Sequence, residues 1–276
     1  MLFDNHNHSE FSFDAPKSKI ERSTQAAIER GLGGICFTDH YDFISKALQE
    51  GIKAGCDETF DIKRQQEEID RVQMLYPEVK VLKGIELGLE KECREDIRKV
   101  LAENSFDQVI ASIHYIDDTD PYHGEYYLGK NFKQAYGHYL ETLYTEMTWL
   151  GDFDVMGHYD YITRYPDYPQ ESILYKDFPD EMDSILRYLS YEGKALEINT
   201  KTYQTYRGRT PICDINILKR YRELGGEIIS LGSDSHNESR VAEHFDWAAD
   251  FVRSAGFRYL AHFENRKLIQ TPAGRK

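Results

Sequence analysis

Residues that commonly bind metal ions close a succession of short apolar runs along this chain. His6 and His8 follow the apolar start Leu2-Phe3, and later runs end in "FTDH", "KGIE", "ASIH", "VMGH" and "GSDSH". These endings place six further residues at the C-terminal ends of predicted buried strands: His40, Glu86, His114, His158, Asp234 and His236. Because such ends meet at one face of a parallel barrel, the pattern predicts one polynuclear metal centre there.

The order of the predicted elements indicates the fold class. Seven strand-like stretches alternate with helix-like stretches, one of which carries Ile62, Ile69, Val72 and Leu75 on a single face. Regular βα alternation predicts a parallel sheet with right-handed crossovers. Sites at every strand end favour a closed or nearly closed α/β barrel over an open sheet. A length of 276 residues suits one such barrel, so we expect a single domain spanning residues 1–276.

Three polar, tyrosine-rich segments follow the fourth, fifth and sixth predicted strands. They cover residues 117–130, 159–179 and 200–211. Loops after the strands of a βα barrel lie over the strand ends, so these segments are expected around the metal centre. The first of them has the composition of a lid.

Charge and cysteine content restrict the partners and the compartment. The chain has 34 Lys and Arg against 48 Asp and Glu, a net charge of −14, which argues against nucleic acid or anionic membrane as a partner. No run approaches the roughly 18 apolar residues of a membrane span. The start lacks the features of a signal peptide. Four cysteines without C-x-x-C spacing, Cys36, Cys56, Cys93 and Cys213, predict reduced thiols and a cytoplasmic protein.

The spacing and chemistry of the candidate ligands suggest which metals they suit. Residues i and i+2 of an extended strand point the same way, so His6 and His8 can reach one ion, and Asp234 and His236 share that spacing. Imidazole together with carboxylate suits Zn, Fe or Mn better than Mg or Ca. The remaining histidines are expected to be ordinary surface or core residues: His123, His138, His244 and His262.

These motifs together resemble the PHP (polymerase and histidinol phosphatase) family of metal-dependent phosphoesterases. The matching pieces are "HNHSEFSFDA", "FTDH", "GIELG", "SIHY", "GHYDYITRY", "LEINT" and "LGSDSH", which span nearly the whole chain. Within the family the chain is most similar to the monofunctional histidinol-phosphate phosphatases. The resemblance implies a distorted (β/α)7 barrel, in agreement with the seven strands counted from the pattern.

The resemblance also implies three divalent metal positions. The first would be held by His6, His8, Glu86 and Asp234. The second would share a bridging Glu86 and add His114 and His158, and the third would use Asp14, His40 and His236. From the sequence alone, Asp14 is equally acceptable as the N-cap of a turn before Pro16.

A hydrolytic mechanism follows from such a centre. Glu86 and Asp234 would help to hold two ions, and a hydroxide bound between these ions would attack phosphorus. The ions would neutralise the charge that develops on the phosphoryl oxygens. The proton for the leaving group could come from Asp160, His40 or a metal-bound water, and the sequence does not choose among them. The expected phosphate or substrate contacts are Arg164, Arg207, Lys201 and Asn199, the last with the alternative role of capping a loop. Five loop tyrosines are candidates for the wall of an imidazole pocket: Tyr115, Tyr122, Tyr161, Tyr203 and Tyr206.

The predicted function is therefore a phosphomonoesterase whose small phosphorylated substrate is L-histidinol phosphate, as in histidine biosynthesis. A phosphoesterase for another small phosphomonoester is the first alternative. Nuclease activity is disfavoured by the acidic charge, and nothing in the sequence supports a protein-tyrosine phosphatase. The alternative from another class is a non-catalytic, metal-stabilised protein that binds a phosphorylated ligand. The sequence carries no signal for the oligomeric state.

Overall fold

A computed structural model describes residues 1–43 and 58–274. Its strands are β1 (Phe3–Asn7), β2 (Gly34–Phe37), β3 (His40–Asp42), β4 (Lys80–Gly88), β5 (Gln108–Ser112), β6 (Val155–Met156), β7 (Ala195–Asn199), β8 (Ile229–Gly232), β9 (Tyr259–Glu264) and β10 (Lys267–Pro272). Its α-helices are α1 (Ile20–Glu29), α2 (Ile62–Leu75), α3 (Arg94–Glu103), α4 (Phe132–Leu150), α5 (Pro179–Glu192), α6 (Ile215–Glu223) and α7 (Phe245–Ser254).

Helix boundaries follow capping signals in the sequence. Asn131 and Gln134 form a reciprocal capping box at the start of α4, so the longest helix begins where the sequence predicts. Proline occupies the first turn of α5, and Gly193 ends this helix with a left-handed φ of 65°. Each predicted helix is present. The ends of most other helices differ by a few residues from the predicted ends.

The sheet confirms the predicted barrel class. Strands β1, β2, β4, β5, β6, β7 and β8 are neighbours in that order and pair in parallel, with β3 added beside β4. The ends of β1 and β8 come together through a parallel bridge between Asn7 and Ser235. Two backbone bonds clamp this closure: His8 donates to the Ser235 carbonyl at 2.8 Å, and Asp234 donates to the His6 carbonyl at 2.9 Å.

The pleat of the strands separates core residues from site residues. On β5, Val109 and Ala111 pack in the large apolar core, whereas Ser112 turns toward Glu86. On β7, Leu196 and Ile198 pack in that core, and Glu197 reaches His6. Because side chains alternate along a strand, the same elements that build the core also present polar groups to the barrel interior.

An antiparallel hairpin of β9 and β10 extends the sheet beyond β8. It joins β8 through a single parallel pair, Ser230 with Ala261. Asn5 of β1 donates to the carbonyls of both Leu231 and Ala261, so β1 and β9 share the space beside β8. A small second core closes this part of the barrel, made by Ile110, Val155, Ala195, Ala261 and Phe263.

Two further predictions concern membranes and thiols. Among the described residues, every helix is too short or too polar to cross a membrane. Cys36 and Cys213 are buried free thiols. Cys56 lies outside the described residues.

Candidate metal centre and substrate cavity

A cavity of about 700 Å³ opens at the C-terminal ends of the barrel strands. All three tyrosine-rich segments contribute to its wall, as their positions after the strands predict. At its base lie Asp14, His40, His114, His158, Asp234 and His236. The strand-end residues that the sequence singles out are therefore brought to one place.

Glu86 lies at the centre of the histidine cluster and is fully buried. Its Oε2 atom lies 3.1 Å from His6 Nε2, 3.4 Å from His8 Nε2 and 3.1 Å from His40 Nδ1. Its Oε1 atom lies 3.2 Å from His114 Nε2 and 2.8 Å from His158 Nε2. The two oxygens of one carboxylate thus face two different groups of imidazoles. The register of β3 against β4, which pairs His40 with Glu86, contributes to this arrangement.

The cluster passes a direct test of fit for divalent metal ions. Within residues 1–43 and 58–274, His6 Nε2, His8 Nε2, His40 Nδ1 and Glu86 Oε2 are buried and have no hydrogen-bond partner. Their separations of 3.1–3.4 Å are nevertheless short. Two ligands each about 2.1 Å from one ion, at roughly tetrahedral or octahedral angles, lie about 3.0–3.4 Å apart. Short contacts between atoms that do not hydrogen-bond to each other are therefore expected for side chains that coordinate the same ion.

In the described part of the chain, candidate ligand atoms lie within 4.8 Å of one another in four groups: His8, Asp14, His40 and His236; His6, His8 and Glu86; His6, His158 and Asp234; His40, Glu86 and His114. All nine predicted metal ligands belong to at least one group. The grouping differs from the prediction in three residues. His8 also joins the Asp14 group, His40 also joins Glu86 and His114, and His158 groups with His6 and Asp234 rather than with His114.

Asp14 and His236 come together although 222 residues separate them. Asp14 Oδ2 lies 2.6 Å from His236 Nε2 and 3.7 Å from His40 Nε2. The Asp14 side chain is 31% exposed and faces the cavity, where it also accepts a bond from Ser12. Its placement favours the ligand role over the alternative role as an N-cap.

The extended-strand argument does not hold for Asp234 and His236. Strand β8 ends at Gly232, and Asp234 adopts a left-handed φ of 50°. The bond from its N–H to the His6 carbonyl holds this conformation, which is uncommon for a residue with a Cβ. As a result Asp234 joins His6 and His158, while His236 joins the Asp14 group.

Two buried carboxylates that the sequence analysis missed hold the histidines in place. Glu197 Oε1 lies 2.7 Å from His6 Nδ1, and Asp42 Oδ1 lies 2.7 Å from His114 Nδ1. An acceptor at Nδ1 keeps the proton on that nitrogen, so Nε2 offers its lone pair to the cluster. The available signal was spacing: Asp42 is two residues after His40, and Glu197 is two before Asn199.

The electrostatics of the cluster are dominated by its burial and its mixed charges. Burial alone would raise the pKa of Glu86, but His6, His114 and His40 lower it well below its usual range. Burial likewise opposes ionisation of Asp234, yet Lys201 and His6 keep its pKa well below normal. Both carboxylates are therefore ionised at neutral pH.

Three of the four predicted phosphate or substrate contacts lie beside this cluster. Arg164 Nη2 lies 3.2 Å from both Asp234 Oδ2 and Asn199 Oδ1, and its side chain is only 9% exposed. Lys201 Nζ lies 3.0 Å from Asp234 Oδ1 and 3.2 Å from His236 Nδ1. Asn199 also donates to Glu197 and Asp234.

Arg207 is the predicted phosphate contact that the structure leaves outside the described cavity wall. Its backbone has a left-handed φ of 51°, and its exposed guanidinium stacks over the ring of Tyr206. Arg209 lines the cavity instead, but it donates to the carbonyls of Pro166 and Tyr168. The hairpin turn between Tyr206 and Arg209 sends the two arginines to different sides.

Asp160, a predicted candidate for the proton donor, is buried and does not belong to the described cavity wall. Its oxygens accept from Tyr203 at 2.5 Å and from Thr202 at 3.2 Å. Burial raises its pKa to about 6 against the opposing effect of Tyr203 and Arg164. Tyr203, predicted as a pocket wall, is occupied with this contact and packs against Trp247.

The outer part of the cavity is aromatic and acidic. The other four predicted wall tyrosines line it, joined by Tyr165 and His123: Tyr115, Tyr122, Tyr161 and Tyr206. Glu58 and Asp120 lie on this wall, and burial raises the pKa of each. Within the described ranges neither carboxylate forms an ion pair with a lysine or arginine, although Glu58 accepts from Tyr115 at 2.8 Å.

Comparison with known proteins identifies the class of this fold and site. The PHP domain family model matches residues 4–201, and the chain belongs to that family. The chain is 33% identical over 267 residues to the histidinol-phosphatase of Lactococcus lactis subsp. lactis (strain IL1403), covering 96% of this chain and 95% of that protein. It is 30% identical to a probable histidinol-phosphatase of Clostridium acetobutylicum, covering 96% and 98% of the two chains.

A crystal structure gives the same relationship in three dimensions. Histidinol phosphate phosphatase from Lactococcus lactis subsp. lactis Il1403, complexed with zinc, L-histidinol and phosphate, superposes with a TM-score of 0.85 at 31% identity. The alignment covers 97% of this chain and 98% of that one. The family and the barrel class predicted from the motifs are thereby confirmed.

Proposed function

We propose that this protein is a metal-dependent phosphomonoesterase that hydrolyses L-histidinol phosphate to L-histidinol and phosphate. One observation carries the proposal: a fully buried carboxylate, Glu86, faces imidazoles on both of its oxygens, and three of these imidazoles, His40, His114 and His158, line a substrate-sized cavity. A carboxylate in this position suits bridging between two ions. Similarity to a histidinol-phosphatase over nearly the whole chain supports the choice of substrate.

The donor atoms suit three divalent ions of the Zn, Fe or Mn type, because imidazoles and carboxylates are combined at each position. The proposed ligands are the nine residues predicted from the sequence: His6, His8, Asp14, His40, Glu86, His114, His158, Asp234 and His236. When bound, such ions supply Lewis acidity and lower the pKa of water toward neutrality. Glu197 and Asp42 would keep the ring nitrogens oriented toward the ions.

Two cationic side chains beside the metal-binding cluster would orient the phosphate group. Arg164 presents a planar guanidinium beside Asp234, and Lys201 presents an ammonium next to the same carboxylate. Guanidinium matches two phosphoryl oxygens at once, while lysine acts as a point charge. Asn199 Oδ1 accepts from Arg164 Nη2 at 3.2 Å and from the backbone N–H of Lys201 at 3.1 Å, and the second bond supports the alternative role of capping a loop.

The aromatic and acidic outer wall would bind the leaving group. L-histidinol carries a flat imidazole ring and a cationic amine. The tyrosine wall offers stacking surfaces for the ring, and Glu58 and Asp120 offer negative charge that the described lysines and arginines do not neutralise. The same chemistry would reject anionic leaving groups such as those of sugar bisphosphates.

The primary experiment measures kcat/KM for L-histidinol phosphate beside a panel of small phosphomonoesters, together with the metal content of the same sample. We expect a strong preference for L-histidinol phosphate, above about 10⁴ M⁻¹s⁻¹. Weak and unselective turnover with metals bound would refute the substrate but retain the chemistry. Bound metal with no turnover of any ester would support a non-catalytic binding protein instead.

The leaving-group assignment has its own test. Asp120→Asn and Glu58→Gln preserve shape and hydrogen bonding but remove charge. We expect each to lower kcat/KM for L-histidinol phosphate several-fold while leaving p-nitrophenyl phosphate, which has no cationic group, within about twofold. Equal effects on both substrates would contradict the assignment.

We also propose a cytoplasmic location and a single domain over residues 1–276. The buried thiols Cys36 and Cys213 suit a reducing compartment. One apolar core contains residues from Leu2 to Ala273, which supports a single folding unit. Fractionation of tagged protein and limited proteolysis test the two points: a secreted pool or two separately stable fragments would refute them.

A further inference from the structure

Arg164 is held by a buried hydrogen-bond network rather than by one partner. Its Nε and Nη2 atoms both point to the hydroxyl of Thr202, at 3.2 and 2.9 Å. Nη2 also lies 3.2 Å from Asn199 Oδ1 and from Asp234 Oδ2. Among the described residues nothing accepts from Nη1, and Arg164 lines the cavity. One edge of the guanidinium is thus anchored to the protein, which leaves Nη1 for a ligand.

The hydroxyl of Thr202 must act purely as an acceptor toward Arg164. A threonine hydroxyl has one hydrogen and two lone pairs, and arginine cannot accept a hydrogen bond. The single hydrogen of Thr202 is directed to Asp160 Oδ1 at 3.2 Å. Both lone pairs therefore remain available to Nε and Nη2 of Arg164. Asp160 sets the direction of this bond.

Asp160 is in turn held from its other side. Its Oδ2 accepts from Tyr203 at 2.5 Å, so each carboxylate oxygen has a hydroxyl donor. Asp160 is 4% exposed and is not among the residues lining the described cavity, whereas Thr202 and Arg164 are. In this position the carboxyl group is separated from the substrate space by the residues that it orients.

We propose that Tyr203, Asp160 and Thr202 form a relay that positions Arg164 to bind the phosphate group, and that Asp160 is a positioning residue rather than the acid that protonates the leaving group. The inference deepens the proposed function and rests on it for the identity of the phosphoester. The binding of phosphate by Arg164 can be tested without the natural substrate.

Thr202→Val removes the acceptor at nearly constant volume, and Thr202→Ser restores it. With p-nitrophenyl phosphate as substrate, we expect Thr202→Val to raise both KM and the inhibition constant of inorganic phosphate about tenfold, the effect of one lost hydrogen bond to a charged group. Thr202→Ser should stay within about twofold of the wild-type protein. Unchanged phosphate inhibition in Thr202→Val would overturn the relay, even if L-histidinol phosphate proves not to be the substrate.

Asp160→Asn distinguishes positioning from proton donation. A p-nitrophenolate leaving group needs no protonation, whereas the alkoxide of L-histidinol does. A positioning role predicts the same fractional loss on both esters, expressed mainly in KM. A loss of kcat confined to L-histidinol phosphate would overturn the proposal and identify Asp160 as the acid.

Tyr203→Phe removes the outer member of the relay, and Tyr175→Phe is a matched control. Tyr175 donates to Asp183 at 2.9 Å and lies outside the described cavity wall. We expect Tyr203→Phe to raise the phosphate inhibition constant about two- to threefold and Tyr175→Phe to leave it unchanged. A fall in melting temperature for Tyr203→Phe with unaltered phosphate inhibition would indicate a merely structural bond and refute its part in the relay.

Discussion

The replacement Glu197→Gln tests whether a carboxylate behind the cluster controls metal affinity. Glu197 is buried, with its side chain 1% exposed, and Oε1 lies 2.7 Å from His6 Nδ1. Its Oε2 accepts the backbone N–H of His158 at 2.7 Å. Glutamine has the same shape but only one acceptor oxygen. If the amide oxygen accepts from His6 Nδ1, the amide NH₂ faces the backbone N–H of His158, and two donors oppose each other. If the amide is flipped, the NH₂ faces His6 Nδ1 instead.

The expected magnitude follows from this lost acceptor. A hydrogen bond to a charged group is worth about 1.5–3 kcal/mol, and its loss also frees the ring of His6 to choose the other tautomer. At about 1.4 kcal/mol per factor of ten, metal affinity should fall roughly 10- to 100-fold. The fold should survive, because the volume of the side chain is unchanged.

The measurement is a zinc titration against a competing chelator, followed by activity at limiting and at saturating zinc. We expect Glu197→Gln to lose activity at limiting zinc and to regain most of it at saturation. Glu146→Gln is the matched control: Glu146 is also buried, but it pairs with Arg94 at 2.8 and 2.9 Å on the outer helices. Equal zinc affinities for Glu197→Gln and the wild-type protein would refute the reasoning.

Three further outcomes are expected. Arg164→Ala should raise KM for phosphomonoesters at least tenfold because a buried cation is lost. Arg207→Ala changes an exposed residue, so its KM should stay within twofold of the wild-type value. Steady-state kinetics that show the reverse order would contradict the placement of Arg164 at the phosphate. Gly232→Ala should destabilise the protein by about 1–3 kcal/mol and reduce bound zinc, because a Cβ would lie 2.3 Å from Glu197 Oε1 and 2.5 Å from His6 Cβ. Urea unfolding measures the change in stability, and metal analysis measures the zinc content. Wild-type stability together with wild-type zinc content would refute the prediction. Chelation should lower the melting temperature by several degrees and added zinc should restore it, since the ions bind only the folded state; an unchanged melting temperature would argue against a bound metal.

The barrel itself was predictable because its signals are local. Apolar runs of four to nine residues separated by amphipathic helices identify parallel strands, and the capping residues of α4 set its start. The hairpin of β9 and β10 escaped prediction because its turn, Asn265-Arg266, uses left-handed φ angles of 49° and 63° without the glycine that usually marks such a turn. Its pairing with β8 has one register pair, Ser230 with Ala261, which no local sequence pattern encodes.

The candidate site also has features that the sequence predicts and features that it does not. The ligand set could be predicted from residue type, from position at strand ends and from the family resemblance. The left-handed backbone of Asp234 could not, because it depends on the bond to the His6 carbonyl, 228 residues away in sequence. The exclusion of Arg207 from the cavity depends on which way one hairpin turn directs its side chains.

The sequence by itself determined the βα alternation and the chemistry of the candidate ligands, because these depend on periodicity and residue type, and its motifs implied a phosphoester substrate through the family resemblance. Only the tertiary structure decided the roles of residues whose chemistry is ambiguous. Asp160 became a buried partner of Thr202 and Tyr203, and Glu197 became the acceptor behind His6. The physical reason is that a carboxylate acts according to what surrounds it, and its surroundings come from strands far apart in the chain.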